Sequence, residues 1–534
     1  GLDSVVPLEP ASMPNRVVAQ WDKDDCEDLG IIKVDLLGLG MMSALQDCFE
    51  LCRTRGNGRE IDGMAAIPPD DPATYDMIQK ADTIGLFQIE SRAQMATLPR
   101  LRPRRFYDLV VEVAIIRPGP IVGNMVHPYI ERRNGREEPD YIDPRFEPVL
   151  KRTLGVPLFQ EQVLQMAVTI ANFSGSEAEE LRRAISFNRS EERMQKVLLK
   201  LRAGMDKNGV SKETQGRIEE AIHSFALYGF PESHAISFAL LAYASAWLKR
   251  HRAAEFYVSL LNNYPMGFYS RATLVRDAKA HGLRVKPVSV IDSNLECRVE
   301  ADDIIRLGLS QTKALSRSTA ERLVMLRQER PWNDLPDFLA RVRPNKKERR
   351  VLAKIGALNG LAEHRRDALW KAEQRVVQGD FFAKVANDTT TELPPMSSME
   401  RLDADYAGLG LTTGPHPMAY VREHCQAANI WKASDLEQGR DGQSIVVAGL
   451  VICRQRPSTA NGHLFLSLED ETGVSNAVVP APTFERYRLV IVQEPFLKIH
   501  GRLQHADNVT SVYTHHVSRM PFKTSLGTES HDFH

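Results

Sequence analysis

The stretch that most narrows the fold lies near the end of the chain. Five runs with the alternation or β-branched richness of strands occur at 445–453, 463–468, 474–479, 496–503 and 509–516, and a helix-like segment at 482–490 separates the third from the fourth. Successive side chains of a strand point to opposite faces, so runs this short bury their apolar residues only where the sheet packs or closes on itself. Asp470-Glu471-Thr472-Gly473 supplies a turn between the second and third runs. Three strands, a helix and two further strands predict a small closed β-barrel.

That order of elements is the order of an OB-fold, a barrel that commonly binds single-stranded nucleic acid by stacking and charge. Sparse aromatics on these strands leave a protein contact as the other reading. The 534 residues exceed one core, and a length of this order predicts about three or four domains. With a formal net charge of -1, attraction to nucleic acid or membrane has to come from local patches. Of the six cysteines only Cys48 and Cys52 are close, one helical turn apart. Neither a disulfide framework nor a zinc site is predicted, and the reduced thiols of a cytoplasmic protein are expected. The longest apolar run, 235–248, is too short to span a bilayer and is interrupted by Ser237 and Ser245. The chain opens at Gly1 with no initiator Met and no signal-like segment, so a soluble fragment that has lost upstream residues is expected.

Ile31-Ile32-Lys33-Val34-Asp35-Leu36-Leu37-Gly38 reads as a short apolar strand in which Lys33 and Asp35 leave from one face. A metal-binding carboxylate beside a phosphate-binding lysine suits one highly charged substrate; a plain ion pair fits the spacing as well. Met41, Met42, Leu45, Cys48, Phe49 and Cys52 then recur at helical spacing and predict core packing. Residues 70–261 are mostly helical in pattern, with polar groups at element ends in three places. Arg117-Pro118-Gly119-Pro120 stops an apolar run, and Ser176 and Glu179 have the spacing of a capping box on a helix carrying Arg182 and Arg183. Tyr228-Gly229-Phe230-Pro231 breaks the chain before Glu232-Ser233-His234 opens a long apolar helix. Arg100, Arg102, Arg104 and Arg105 precede Phe106 and Tyr107, a pattern shared by nucleic-acid surfaces and mixed-charge helices. Residues 309–327 read as two short helices around Lys313-Ala314-Leu315-Ser316, followed by the basic run 341–354. A helix-hairpin-helix offers backbone N–H groups to phosphate and normally needs glycine at its turn, so a purely structural hairpin is an equal reading. Residues 387–399 read as a linker and 406–417 as a turn-rich connector.

In order, these segments resemble the bacterial family C DNA polymerases, the DNA polymerase III alpha-subunit family. Trp21-Asp22-Lys23-Asp24-Asp25 with Lys33-Val34-Asp35-Leu36-Leu37-Gly38-Leu39 is similar to that family's late palm motif. Further matches are Gly85-Leu86-Phe87-Gln88-Ile89-Glu90-Ser91-Arg92, Arg117-Pro118-Gly119-Pro120, Phe159-Gln160-Glu161-Gln162, Leu181-Arg182-Arg183-Ala184 and Tyr228-Gly229-Phe230-Pro231-Glu232-Ser233-His234. Within the family, the last of these, Asn262-Asn263-Tyr264-Pro265-Met266-Gly267-Phe268-Tyr269 and the ending Asp532-Phe533-His534 are similar to the error-prone, damage-inducible branch.

The resemblance implies the C-terminal half of a template-directed polymerase that adds deoxynucleotides to a primer 3′ end in translesion synthesis and damage-induced mutagenesis. It implies two Mg2+ ions held by carboxylates, with Asp35 as the catalytic and metal-binding residue. Lys33, Arg117, Arg182, Arg183, Ser233 and His234 would surround the incoming nucleotide; capping and ion pairing are what the arginines would otherwise do. Lys346, Lys347, Arg349 and Arg350 would bind DNA. Gln378-Gly379-Asp380-Phe381-Phe382 resembles a sliding-clamp docking peptide, with Gln378, Asp380, Phe381 and Phe382 as its contacts; a helix end with packed phenylalanines would look the same. Implied partners are primer–template DNA, dNTP, the sliding clamp, an inactive Y-family-like factor and a mutagenesis accessory protein, with no membrane and a cytoplasmic, nucleoid-associated location. The family's other two catalytic carboxylates lie upstream of this chain, and Ile185-Ser186-Phe187-Asn188 departs from the family's usual Met-Gly and basic residue.

The expected architecture is multidomain, mainly α fingers with a small α/β palm remnant, a helix-hairpin-helix region and a C-terminal β-barrel. The end of the palm is expected at 1–42, fingers at 43–264, the hairpin and clamp-binding region at 265–378, a docking peptide, linker and connector at 379–440, the OB-fold at 441–520 and a tail at 521–534. The full-length protein is expected to be a nucleotidyltransferase and this length alone to be inactive. A noncatalytic DNA- and clamp-binding module is the alternative.

Overall fold

The computed structural model describes residues 4–11, 16–21, 25, 29–30, 36–55, 61–116, 123–186, 191–226, 230–267, 269–373, 393–456, 462–506, 509–520 and 531–533. Its largest core forms around the helix Glu232–His251. Pro231 holds the extended backbone that starts this helix, Glu232 lies in its first turn, and Lys249, Arg250 and His251 lie in its last, the signs that suit a helix dipole. Every residue from Ala242 to Lys249 is buried, because Phe106–Ile115, Pro72–Gln79 and Ala253–Asn262 pack around it. Leu39–Thr54 lies across Ala253–Asn262 and buries Met41, Leu45, Cys48 and Cys52, the helical stripe expected from spacing, while Met42 stays exposed. The same core continues through Leu323, Phe338 and Leu352 to Leu411, without a break near residue 264. A second core, with Phe146, Met166, Leu181, Leu201 and Phe225 at its centre, is built by Gln160–Ala171, Gly175–Ser186, Glu191–Lys207 and Lys212–Ala226.

Several boundaries differ from expectation. Leu36 and Leu37 are exposed and turn with Gly38 into the following helix, so the strand expected over 31–38 does not include them; residues 31–35 lie outside the described set. Residues 398–409, expected as linker and turns, form the helix Ser398–Leu409, whose Ser397 and Glu400 make a reciprocal capping box. The cysteines described, Cys48, Cys52, Cys297, Cys425 and Cys453, are buried free thiols. No described helix is long and apolar enough to cross a membrane.

The C-terminal barrel closes as its strand order predicts. Ser444–Gln455 pairs with Leu464–Glu469, which pairs with Val474–Val479, all antiparallel. Val474–Val479 runs parallel to Val509–Arg519, which pairs antiparallel with Phe496–Ala506. Phe496–Ala506 closes the ring on the first half of Ser444–Gln455, from Ser444 to Leu450. The first strand is longer than its alternation indicated because its first half serves Phe496–Ala506 and its second half Leu464–Glu469, where His531–Phe533 also pairs with it in parallel. Leu466, Leu468, Val479, Leu497, Ile499 and Val512 fill the barrel, and Ala481–Gln493 packs on it through Phe484 and Ile491.

One buried cation joins the pieces of the main core. The Lys249 side chain is wholly buried, and its Nζ stands 2.8 Å from carboxylate oxygens of both Asp82 and Asp277 and donates to the Ile84 carbonyl at 3.1 Å. Tyr257 donates to Asp277 at 2.6 Å, and His281 Nε2 lies 2.7 Å from Asp82. Burial opposes ionisation of Asp82, but His281 and Lys249 hold its carboxyl well below the usual range. Asp82, Asp277 and His281 also have the spacing of a metal cluster, and the Lys249 ammonium already pairs with both of its acids. Substituting Lys249→Met leaves buried Asp277 and half-buried Asp82 without their shared cation and should cost about 3 kcal/mol of the urea unfolding free energy of this core. A loss below about 1 kcal/mol would contradict the role given to Lys249.

Candidate active site

Lys33, Asp35 and Arg117, and the docking-peptide residues Gln378, Asp380, Phe381 and Phe382, lie outside the described residues. The described chain resumes one residue past Asp35, and its packing there is specific. Gly38 caps the helix Leu39–Thr54 with φ of 88°, and a Cβ at this position would lie 3.0 Å from the Phe87 ring. Both facts favour glycine: the backbone is left-handed and an aromatic edge fills the space a side chain would take. Phe87 meets Phe238 edge-on with ring centroids 5.2 Å apart, Phe238 meets His234 at 4.1 Å, and His234 meets Phe230 at 5.0 Å. Four rings therefore connect the turn after Asp35, the Gly85–Arg92 motif and the start of the helix Glu232–His251. Ser233 is exposed and His234 half-buried at that helix start.

The helix start is anchored from its other side. Glu232 accepts from Tyr107 at 2.8 Å and pairs with Arg152 at 2.9 Å, while its backbone N–H donates to Glu161 at 2.9 Å. Gln160 N–H donates to the Phe230 carbonyl at 3.0 Å. Gln162 in turn accepts from the N–H groups of Leu158 and Phe159 at 2.9 and 3.1 Å. The Phe159–Gln162 motif is thus the brace that orients Phe230 to His234. Asn262 has a bracing role too: its amide bonds both the N–H and the carbonyl of Cys297, at 2.8 and 3.1 Å.

Arg182 and Arg183 stand elsewhere. They are exposed on Gly175–Ser186, in the second core, and both reach Glu179: Arg182 at 2.8 and 2.7 Å, Arg183 at 3.3 Å. The hydrogen bond from Arg182, with Arg183 adding to it, pulls the Glu179 carboxyl down to about 2. Glu179 therefore does not cap this helix. The cap is Ser174, whose N–H and hydroxyl donate to Glu177 at 2.9 and 2.8 Å, two residues ahead of the expected Ser176 and Glu179.

The basic hairpin region divides into two turns. At the first, Ala314 adopts φ of 62° without glycine, and Ser316 caps Arg317–Glu329. The anion at that cap is already present, since buried Glu348 accepts from Ser316 N–H at 3.1 Å and from its hydroxyl at 2.7 Å. Phosphate has no place there. The second turn follows Lys346–Lys354 and does use glycine, Gly356 at φ of 80°. On that helix Arg349 and Arg350 share Glu373, at 3.6 and 2.8 Å, while Lys346 and Lys347 are exposed in the first turn. Two cations at a helix N-terminus oppose the dipole and concentrate positive potential.

Sequence spacing did not single out Glu90, which lies in the Gly85–Arg92 motif and is buried. Burial pushes its carboxyl up to about 8, against the opposing charge of Lys249. The ordinary value is 4.5, so the folded state holds an extra proton between about 4.5 and 8 and stability falls as pH rises through that window. Glu90→Gln should remove this decline: between pH 6 and pH 9 the wild-type melting temperature should fall by several degrees more than that of the variant. Parallel curves would place Glu90 in contact with water.

Three family models match. Residues 1–38 match the bacterial DNA polymerase III alpha NTPase domain, 41–209 the bacterial DNA polymerase III alpha subunit finger domain and 282–368 a helix-hairpin-helix motif. Proteins named error-prone DNA polymerase align with the whole chain: one from Pseudomonas aeruginosa is 45% identical over 540 residues, one from Pseudomonas fluorescens 46% over 540, and one from Anaeromyxobacter dehalogenans 44% over 553. The chain spans about half the length of these relatives, 52%, 52% and 48%. That coverage gives no support to the expectation that the matched half is the C-terminal one. With its finger-domain match, its relatives and its motifs braced around one helix start, the chain belongs to the bacterial DNA polymerase III alpha-subunit family, alongside the error-prone DNA polymerases.

Proposed function

We propose that this chain supplies the fingers, and the palm edge bearing Asp35, to an error-prone DNA-directed DNA polymerase acting in translesion synthesis and damage-induced mutagenesis. The observation that carries the reading is the ring series from Gly38 through Phe87 and Phe238 to His234. It fixes the start of the helix Glu232–His251 beside Gly38, which follows Lys33 and Asp35 in sequence. In this reading Ser233, His234, Lys33 and Arg117 meet the incoming nucleotide. Arg182 and Arg183 join them when Glu179 yields to a phosphate, which accepts the same bidentate donors. Mg2+ held by Asp35 and carboxylates from the remaining length supplies charge stabilisation at the reacting phosphate when bound.

Around this centre, Lys346 and Lys347 are the DNA contacts of the hairpin region, with Arg349 and Arg350 as reserve charges held by Glu373. The closed barrel, with its helix between third and fourth strands, is read as an OB-fold. Residues 378–382 are read as the sliding-clamp peptide, and an inactive Y-family-like factor and a mutagenesis accessory protein as partners in the same pathway. A noncatalytic DNA- and clamp-binding role is the competing reading.

Joined to the remaining length its relatives carry, the chain should extend a primer with Mg2+, and Asp35→Asn should lower kcat by about 10^3-fold or more with little change in DNA binding. Retained extension in that variant would remove Asp35 from the chemistry, and extension by the 534 residues alone would overturn the shared active site. Phe381→Ala with Phe382→Ala should abolish capture on immobilised sliding clamp while leaving primer extension on short templates intact. Undiminished capture would assign those phenylalanines to packing.

A further inference from the structure

We infer that the small sheet packed on the helix Ala253–Asn262 carries a binding site for a compact polyphosphate group, free or borne by a nucleotide. The sheet has three short strands, in the order Arg284–Lys286, Ile304–Arg306 and Arg298–Ala301. Val285, Ile305 and Val299 lie in register and turn toward the main core. The neighbouring position faces away from that core, and there Lys286, Arg306 and Arg298 stand side by side across all three strands.

Like charges directly opposite one another destabilise a sheet, so a row of three cations needs anions. One carboxylate meets all three. Glu300, at the register shift between Val299 and Ala301, takes Lys286 at 2.8 Å and Arg298 at 3.0 Å, and Arg306 donates to it as well. The hydrogen bond from Arg306, with Lys286 and Arg298 adding to it, holds the Glu300 carboxyl down at about 2. Asp292 lies 3.6 Å from Arg306. A fourth cation, half-buried Arg327, donates to the Val290 carbonyl at 3.1 Å and to Asn294 at 3.3 Å, and among the described residues it has no carboxylate partner. Burial and the neighbouring charge of Arg298 push its guanidinium below its ordinary value. Arg298 Nε is buried without an acceptor. Four cations thus share two carboxylates, and donors remain for a further anion.

The class of ligand follows from the spacing. Adjacent strands lie about 4.8 Å apart, so the row spans about 10 Å, and its cations converge on a single carboxylate. A nucleic-acid backbone spreads its charges singly along its length and is matched by cations spaced along a groove. A di- or triphosphate gathers several charges and acceptor oxygens in one place, where guanidinium groups bind in bidentate fashion. Asn262 bonds the backbone of Cys297, the residue before Arg298, and so ties the row to the main core.

The probe is inorganic tripolyphosphate, titrated by calorimetry into the whole chain without divalent metal or DNA. A Kd below about 1 mM is expected, and Lys286→Gln with Arg298→Gln should weaken binding about tenfold or more. Arg145→Gln with Arg317→Gln removes as much charge from exposed ion pairs elsewhere and should stay within about twofold. Should the first pair fail to fold, Arg327→Gln, which strands no acid, should weaken binding about threefold or more. Displacement of tripolyphosphate by dATP would give the group a nucleotide source, and dATP without effect a free one. No binding at about 1 mM, equal loss in both pairs of variants, or displacement by duplex DNA at matched phosphate concentration would each overturn the site. No nucleotide transfer enters this measurement, so its failure would leave the polymerase reading intact.

Discussion

Lys249 is a charge without access to water, and three parts of the fold meet at it. Asp82 comes from the turn before the Gly85–Arg92 motif, Asp277 from the helix Arg271–Ala280, and Lys249 itself from the last turn of the central helix. An isolated buried ammonium would be intolerable; two carboxylates, a carbonyl and the outer partners Tyr257 and His281 make it tolerable. Arg276, next to Asp277, points to a different neighbour and pairs with buried Glu469 of the barrel at 2.9 Å, where His416 also lies 3.3 Å from that carboxylate. Burial resists ionisation of Glu469, and Arg276 and His416 outweigh it. One helix thus carries two consecutive charges, one locking the central core and one docking the barrel.

With the C-terminal end of the helix Glu232–His251 fixed in this way, its N-terminal end becomes a reliable platform. Phe238 and His234 project from it toward Phe87 and Gly38, and Glu232 is held from behind by Tyr107, Arg152 and Glu161. The motifs that are far apart in sequence are therefore two kinds of part. In the proposed function Gly38, Phe87 and His234 make the wall of the site, whereas Glu161, Gln162 and Asn262 hold backbone in place. Arg182 and Arg183 belong to a separately packed core, so their approach to a nucleotide would involve exchange of partners at Glu179 rather than a prebuilt pocket.

The barrel was legible because strand alternation is local, and the long helix because its apolar run begins at a proline and ends in three basic residues. Two S-x-x-E pairs, Ser174 with Glu177 and Ser176 with Glu179, fitted a capping box equally by spacing; buried Phe173 just before Ser174 is the feature that separates them. The helix Ser398–Leu409 had a readable signal, a capping box followed by Leu402, Tyr406 and Leu409 at helical spacing, but its Gly and Pro neighbours masked it. The Lys249 cluster had none. Lys249 and Asp82 are 167 positions apart, and a lysine at the end of an apolar helix looks like an ordinary solvated terminus. Family motifs named residues around the site but not their division into wall and brace, which depends on tertiary contacts alone.

The central claim is that a nucleotide binds at the start of the helix Glu232–His251, beside Gly38. Photolabelling with an azido-dATP analogue, on the longer protein bound to primer–template and followed by peptide mapping, tests it most directly. Label on residues 230–240, displaced by the matching dNTP and lost in His234→Ala, is the predicted result. Label confined to the helix Gly175–Ser186 or to the barrel would contradict it.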